Sequence, residues 1–171
     1  AVQYAKRVTF NWKLLLITAF SSIIFSFIGA KLVTRINVNI LKPFIFFMLI
    51  AIAIYTFKKK DFGSYSTKVL SDEKKYLFGF LLGIIIGFYD GFLGPGTGSF
   101  LVLGFVALLG FEFLEASAYA KVINCITNIS ALYVFLSQGN YILEIAIIMA
   151  ISNITGSIIG TRMAILKGNQ F

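Results

Sequence analysis

The chain has no histidine and a single cysteine, Cys125, and these two absences narrow its chemistry before anything else is read. Without histidine it lacks the commonest general base and metal ligand, and one thiol can form neither an intrachain disulfide nor a cysteine-rich metal site. Charge is scarce as well. Only 13% of residues are Asp, Glu, Lys or Arg, against roughly 25% in soluble domains. Hydrolytic and metal chemistry are therefore not expected, no cofactor is implied, and the chain is not expected to be an enzyme. Cys125 sits in an apolar stretch and reads as a small packing residue.

What is present is apolar. Hydrophobic residues make up 58% of the chain, with 19 Phe and a mean hydropathy of +0.90. A soluble helical domain would show polar helix faces, whereas the apolar runs here are nearly unbroken. An all-α, polytopic transmembrane helical bundle in the lipid bilayer follows. The formal net charge of +8 belongs to loop topology, because Lys and Arg flank the apolar runs instead of clustering on one face, and nucleic acid is not an expected partner. The opening residues AVQYAKRVTF show no secretory signal pattern. They read as a loop inside a longer protein.

A first apolar run covers Leu14 to Val33, long enough for a hydrocarbon core of about 30 Å. A second, Phe44 to Phe57, is short unless its helix begins near Val38, and Pro43 stands where a first helical position would fall. Residues 1–57 thus read as the end of a first repeat with two spans. The segment 58–76 is basic: Lys58 to Lys75 holds six lysines against three acids and is placed in the cytoplasm by the positive-inside rule. Residues 77–171 read as a second repeat.

That second repeat opens with 34 apolar residues, Leu77 to Gly110, which as one straight helix would extend about 51 Å and overshoot the bilayer. It must break. The break is expected at GFYDGFLGPGTGS, Gly87 to Ser99, with five glycines, a proline, a carboxylate and two hydroxyls. Two arms of about half a membrane each result, Leu77 to Phe88 and Phe100 to Leu109, and a re-entrant hairpin is favoured over one interrupted span. Helices over Phe113 to Leu136 and Tyr141 to Leu166 follow, joined by a Ser137-Gln138-Gly139-Asn140 turn. With a hairpin the last span ends inside, where Arg162 and Lys167 obey the charge rule, but Lys31, Arg35 and Lys42 stay outside in either arrangement. The first and last spans echo one another, Ile28-Gly29-Ala30-Lys31 against Ile159-Gly160-Thr161-Arg162, as halves of repeat-built transporters do.

Backbone that leaves a helix at membrane depth needs protein or water to satisfy it, so the break is the candidate site. Asp90 is costly in lipid and should face a cavity or a partner; it can accept N–H bonds from the second arm or exchange a coupling proton or cation, and its plainer role is to tie down the loop. Gly94, Pro95, Gly96, Thr97, Gly98 and Ser99 supply positive φ, a fixed turn and a capped helix start whose N–H groups attract anions, unless the glycines only permit tight packing. Lys121, Asn124 and Asn128 share one helix face, with Thr127 adjacent, and can offer a charge and amides to an anion or simply snorkel and brace neighbouring helices. Ser152, Gly156 and Gly160 read as a packing stripe, as do Ser22, Ser26 and Ala30, with Asn153 as a supporting site residue. Neither the Walker pattern nor the Rossmann spacing fits the glycines.

The segment Gly87-Phe88-Tyr89-Asp90-Gly91-Phe92-Leu93-Gly94-Pro95-Gly96-Thr97-Gly98, followed by Ala118-Tyr119-Ala120-Lys121, Asn124, Thr127-Asn128, Gly156 and Gly160, resembles the sulfite exporter TauE/SafE family. The resemblance covers about Leu77 to Gly168. It implies a two-repeat carrier in the inner membrane for sulfite, a sulfonate, thiosulfate or a related small anionic substrate, with oligomeric state left open. It also implies a first-repeat glycine-rich element before Ala1 and a helix beyond Phe171. A membrane-embedded structural or assembly subunit is the alternative, and Asp90→Asn separates the two, since a packing element has no need of that acid.

Overall fold

The structure is a computed structural model and describes residues 8–58, 70–139 and 141–167. Most of the basic 58–76 segment therefore lies outside the described residues, as does Asn140 of the expected turn. The described residues form six helices: α1 (Trp12–Val33), α2 (Val38–Lys58), α3 (Asp72–Phe92), α4 (Thr97–Leu109), α5 (Phe113–Ser137) and α6 (Leu143–Lys167). Four of these, α1, α3, α5 and α6, are long and apolar enough to cross a membrane. They fall into two compact units, Ala1–Val134 and Phe135–Phe171. The second consists of the last residues of α5 and the whole of α6.

Within the first unit, α1 begins at Asn11, whose side chain accepts from the Leu14 N–H at 3.1 Å and so closes one of the free amides of a helix start. The Asn11 N–H in turn donates to the Tyr119 hydroxyl of α5 at 2.6 Å. Around that contact sits the apolar core: Leu14, Leu15 and Ala19 of α1, Leu82 of α3, Leu101 and Phe105 of α4, and Tyr119 and Ile123 of α5. Phe105, Phe111 and Tyr119 meet ring to ring at 5.0–5.7 Å. The turn between α4 and α5 is thereby anchored to the starts of α1 and α3.

Glycine explains how α1 and α3 pack. Gly79, Gly83, Gly87 and Gly91 recur every fourth residue on α3 and are buried. They oppose Thr18, Ser22 and Ser26, which recur every fourth residue on α1 and are also buried. A Cβ at Gly87 would stand 2.7 Å from the Ser22 Cα and 2.8 Å from its carbonyl oxygen, and one at Gly91 would collide with the Ser26 carbonyl. Such contact of backbone on backbone is how helices associate where lipid offers no hydrophobic drive. Gly87 and Gly91 were expected in the break; they lie inside a continuous helix instead, held there by the neighbour that needs their small volume.

Two further expectations are corrected. The first arm is no half-membrane segment, because α3 runs unbroken over 21 residues, or about 31 Å. Pro43 is not at the first helical position: α2 starts at Val38 and Pro43 lies inside it. The chain does reverse after α3, with Gly104 of α4 seated on the Leu82 side chain, so α4 folds back along α3.

Ser26 Oγ donates to the Thr127 carbonyl at 2.9 Å, and Ser130 Oγ donates to the Ile23 carbonyl at 3.0 Å. Each serine thus reaches the carbonyl three residues before its counterpart. Together with the Asn11–Tyr119 contact near both helix starts, this reciprocal pair sets α1 and α5 in the same direction. On α6 a Cβ at Gly156 or Gly160 would meet nothing within 4 Å among the described residues.

Candidate functional site: a helix break braced by a buried carboxylate

The break is four residues long, Leu93 to Gly96. Gly94 and Gly96 adopt φ of +83° and +80°, a left-handed conformation that only glycine takes up without penalty. The Leu93 N–H bonds the Tyr89 carbonyl at 2.8 Å and the Gly94 N–H the same carbonyl at 3.3 Å, which closes the end of α3. The Tyr89 hydroxyl then reaches across the turn to the Pro95 carbonyl at 2.5 Å. Asp90 lies 14 residues after Tyr76, about 21 Å along the helix and roughly two-thirds of the way through a 30 Å core. Irregular backbone at that depth is tolerated where protein or a water-filled cavity satisfies it.

The start of α4 closes most of its own amides. Thr97 N–H bonds Gly94 O at 3.3 Å, while Ser99 and Phe100 N–H bond Gly96 O at 3.0 and 3.2 Å. Among the described residues nothing accepts from the Gly98 N–H. Gly98 and Ser99 are exposed and, with Val102 and Phe113, line a pocket of about 250 Å³. The expected amide-rich helix start is thus reduced to one free N–H beside one hydroxyl, because the tight turn uses the other donors internally. Thr97 faces inward, buried, with its hydroxyl donating to Gly94 O at 2.6 Å.

Asp90 is 7% exposed. Its carboxylate accepts from the Thr127 hydroxyl of α5, and the Thr97 hydroxyl of α4 also faces it. Among the described residues no N–H of the second arm bonds it; the Thr127 hydroxyl takes that place, beside a Thr97 hydroxyl whose own proton goes to Gly94 O. The carboxylate therefore joins α3, α4 and α5 at the level of the break. Thr127 also stands 3.1 and 3.0 Å from the Ile123 and Asn124 carbonyls of its own helix.

Thr127 is the site residue that sequence reasoning passed over in favour of its neighbours. Its signal was the stripe Ala116, Ala120, Ile123, Thr127 and Val134, the buried face of α5, in which a lone hydroxyl needs a partner. Asn128 is exposed and turns its amide back onto Asn124 O at 2.6 Å, away from the break. Asn124 and Lys121 are half-buried, Lys121 six residues or about 9 Å along the helix from Thr127. Asn153 lies on α6 in the second unit and is exposed. The described contacts thus join Asp90, Gly94, Thr97 and Thr127, with Pro95, Gly96, Gly98 and Ser99 in the same turn.

Residues 1–171, the whole chain, match the family model described as sulfite exporter TauE/SafE. The chain belongs to that family. It is 38% identical over 167 residues to a "Probable membrane transporter protein" of Sinorhizobium, covering 98% of this chain and 63% of the relative. It is 37% identical over 144 residues to a protein of the same description from Haemophilus influenzae, covering 84% and 55%. To the Escherichia coli protein YfcA, again described as a "Probable membrane transporter protein", it is 32% identical over 146 residues, covering 83% and 52%. The TauE/SafE chain thus spans between half and two-thirds of these relatives. No solved structure matches it. Family and helices together make it a multi-pass membrane protein.

Proposed function

We propose that this chain forms part of a secondary carrier in the plasma membrane that moves a small anion, such as sulfite, a sulfonate or a related organic acid. The observation that carries this reading is the break itself: a new helix begins at membrane depth, from a left-handed glycine, with the Gly98 N–H and Ser99 hydroxyl at a pocket. A helix start carries partial positive charge, and in transporters such half-helix ends point at anionic substrate groups. The family's description and its transporter-named relatives support the same class of activity.

In this reading Asp90 serves as the coupling group. A substrate that draws on the start of α4 moves Thr97, Thr97 faces Asp90, and Asp90 is bonded to Thr127 on another helix. Intramembrane carboxylates that face protein are the usual carriers of a coupling proton or cation. The experiment uses the full-length protein, in proteoliposomes, with radiolabelled sulfite, thiosulfate and methanesulfonate as probes. Saturable flux of at least one anion is expected, and Asp90→Asn should abolish gradient-driven accumulation at normal protein abundance. The reading falls if none of these probes crosses faster than in protein-free vesicles, or if the Asp90→Asn carrier accumulates its anion normally.

A further inference from the structure

The α1–α5 pair carries a second concavity, on the side of the break away from Asn11. Ile24, Phe27 and Ile28 of α1 with Ile126, Ile129 and Tyr133 of α5 line an apolar trough of about 560 Å³. Phe27 and Ile28 also belong to an adjoining pocket of about 290 Å³ that continues along α1 to Lys31, Leu32 and Arg35. Lys31 lies in the last turn of α1 and Arg35 two residues past its end at Val33, and both are exposed. The Lys31 ammonium lies 6.0 Å from the centre of the Phe27 ring, folded over the trough's own wall. An apolar channel therefore runs out to two cations.

The sign of these charges needs a reason. Within the first unit Asp72 and Glu73 open α3 and Glu112 and Glu115 flank the start of α5, all near the end marked by Asn11, and Asp90 is buried among hydroxyls. No described carboxylate of that unit stands at the Lys31 end. Lys31, Arg35 and Lys42 also lie opposite the lysine-rich 58–76 segment, on the side that the positive-inside rule leaves poor in Lys and Arg. From Val33, the last residue of α1, back to Ile23 is 10 residues, about 15 Å of helix, which matches about 15 Å of hydrocarbon per leaflet.

We propose that this channel is a binding site for one anionic phospholipid of the leaflet opposite the 58–76 segment. An acyl chain lies in the trough between α1 and α5, and the phosphate rests between Lys31 and Arg35. Apolar length, depth and charge all suit that molecule. A zwitterionic lipid would fill the trough but bring its own ammonium to the basic mouth. Because Thr127 of α5 bonds Asp90 and its carbonyl accepts from Ser26 of α1, a lipid seated between α1 and α5 would brace one wall of the break.

The test uses the full-length protein in vesicles of mixed phosphatidylglycerol and phosphatidylcholine, with a photoactivatable diazirine on the acyl chain of one lipid or the other. Adducts are expected to map to residues 23–35 and 126–133 and to form preferentially from phosphatidylglycerol. Lys31→Gln with Arg35→Gln should lower that preference by about tenfold or more, as two lost juxtamembrane cations imply. Ile129→Trp, which fills the trough and keeps both charges, should reduce adducts on α5. The proposal is overturned if labelling shows no headgroup preference, if the double variant keeps the preference, or if both segments stay unlabelled because another part of the full-length chain covers them.

Discussion

Glycine occupies two regions of this molecule for opposite reasons, and the contrast separates what holds the bundle together from what opens it. On α3, Gly79, Gly83, Gly87 and Gly91 are ordinary helical residues whose missing side chain lets the α1 backbone approach. Three residues after Gly91, Gly94 has little pressing on it: a Cβ there would meet only Asp90 O at 3.5 Å, and Gly96 follows two residues on. They are glycines because their φ angles are positive. The first set is a matter of volume and the second of torsion. A region fixed by volume resists change in any direction, whereas a turn fixed by torsion keeps open space around it, which is what a ligand requires.

Substitution should break the first region hardest. Gly87→Val would put branched carbons against the Ser22 backbone at 2.7–2.8 Å, where neither partner can rotate away, so the expected loss is at or beyond the usual 1–3 kcal/mol for overpacking, on the order of 3 kcal/mol. Melting of the full-length carrier in detergent, together with its membrane abundance, reads this out. A wild-type melt would mean that α1 and α3 do not touch at Gly87. The braced carboxylate comes next. Thr127→Val keeps the shape but removes the hydroxyl from Asp90, and leaving a buried acceptor unpaired costs about 1–3 kcal/mol; Thr127→Ser should recover most of it. If Ser and Val destabilise equally, the methyl group and not the hydrogen bond is what α5 contributes.

The turn should respond more mildly and in two directions. Gly96→Ala forces a side chain into the left-handed region, a penalty of about 1–2 kcal/mol. Gly98→Ala lies two residues on, in helical conformation with nothing within 4 Å of its Cβ, and should leave stability unchanged or raise it by about 0.5–1 kcal/mol. The two melts measured side by side sharpen the comparison. Equal losses would show that Gly98 is confined by packing, and equal neutrality would show that Gly96 does not hold its positive φ in the folded carrier.

The same contrast explains how much was legible in the sequence. Long apolar runs announced the spanning helices, since 20 residues without charge can do little else in a membrane protein. The residues from Gly94 to Ser99 announced the turn, because Gly-Pro-Gly leaves a helix few ways to continue. What the sequence obscured was the division of labour among the glycines. Gly87 and Gly91 sit next to the turn in the chain, and only the partner helix reveals that they belong to a packing stripe that begins at Gly79. Thr127 was hidden for the same reason. A hydroxyl between two asparagines looks secondary until the helix is placed against Asp90, after which Asn128 proves to bond its own backbone and Thr127 to reach the carboxylate. Volume and pairing across helices are properties of two segments at once.

The central claim is that the open space at the start of α4 receives an anion, and Ser99→Asp tests it most directly. A carboxylate in the first turn of a helix complements its dipole and should preserve or improve folding, while placing a fixed negative charge where the substrate's charge would sit. Flux of the anion that the wild-type carrier moves, measured in proteoliposomes at matched abundance, should fall to the protein-free background with the melting temperature held or raised. Wild-type flux and half-saturation in the Ser99→Asp carrier would contradict the claim, and the break would then be no more than the bend that lets α4 fold back on α3.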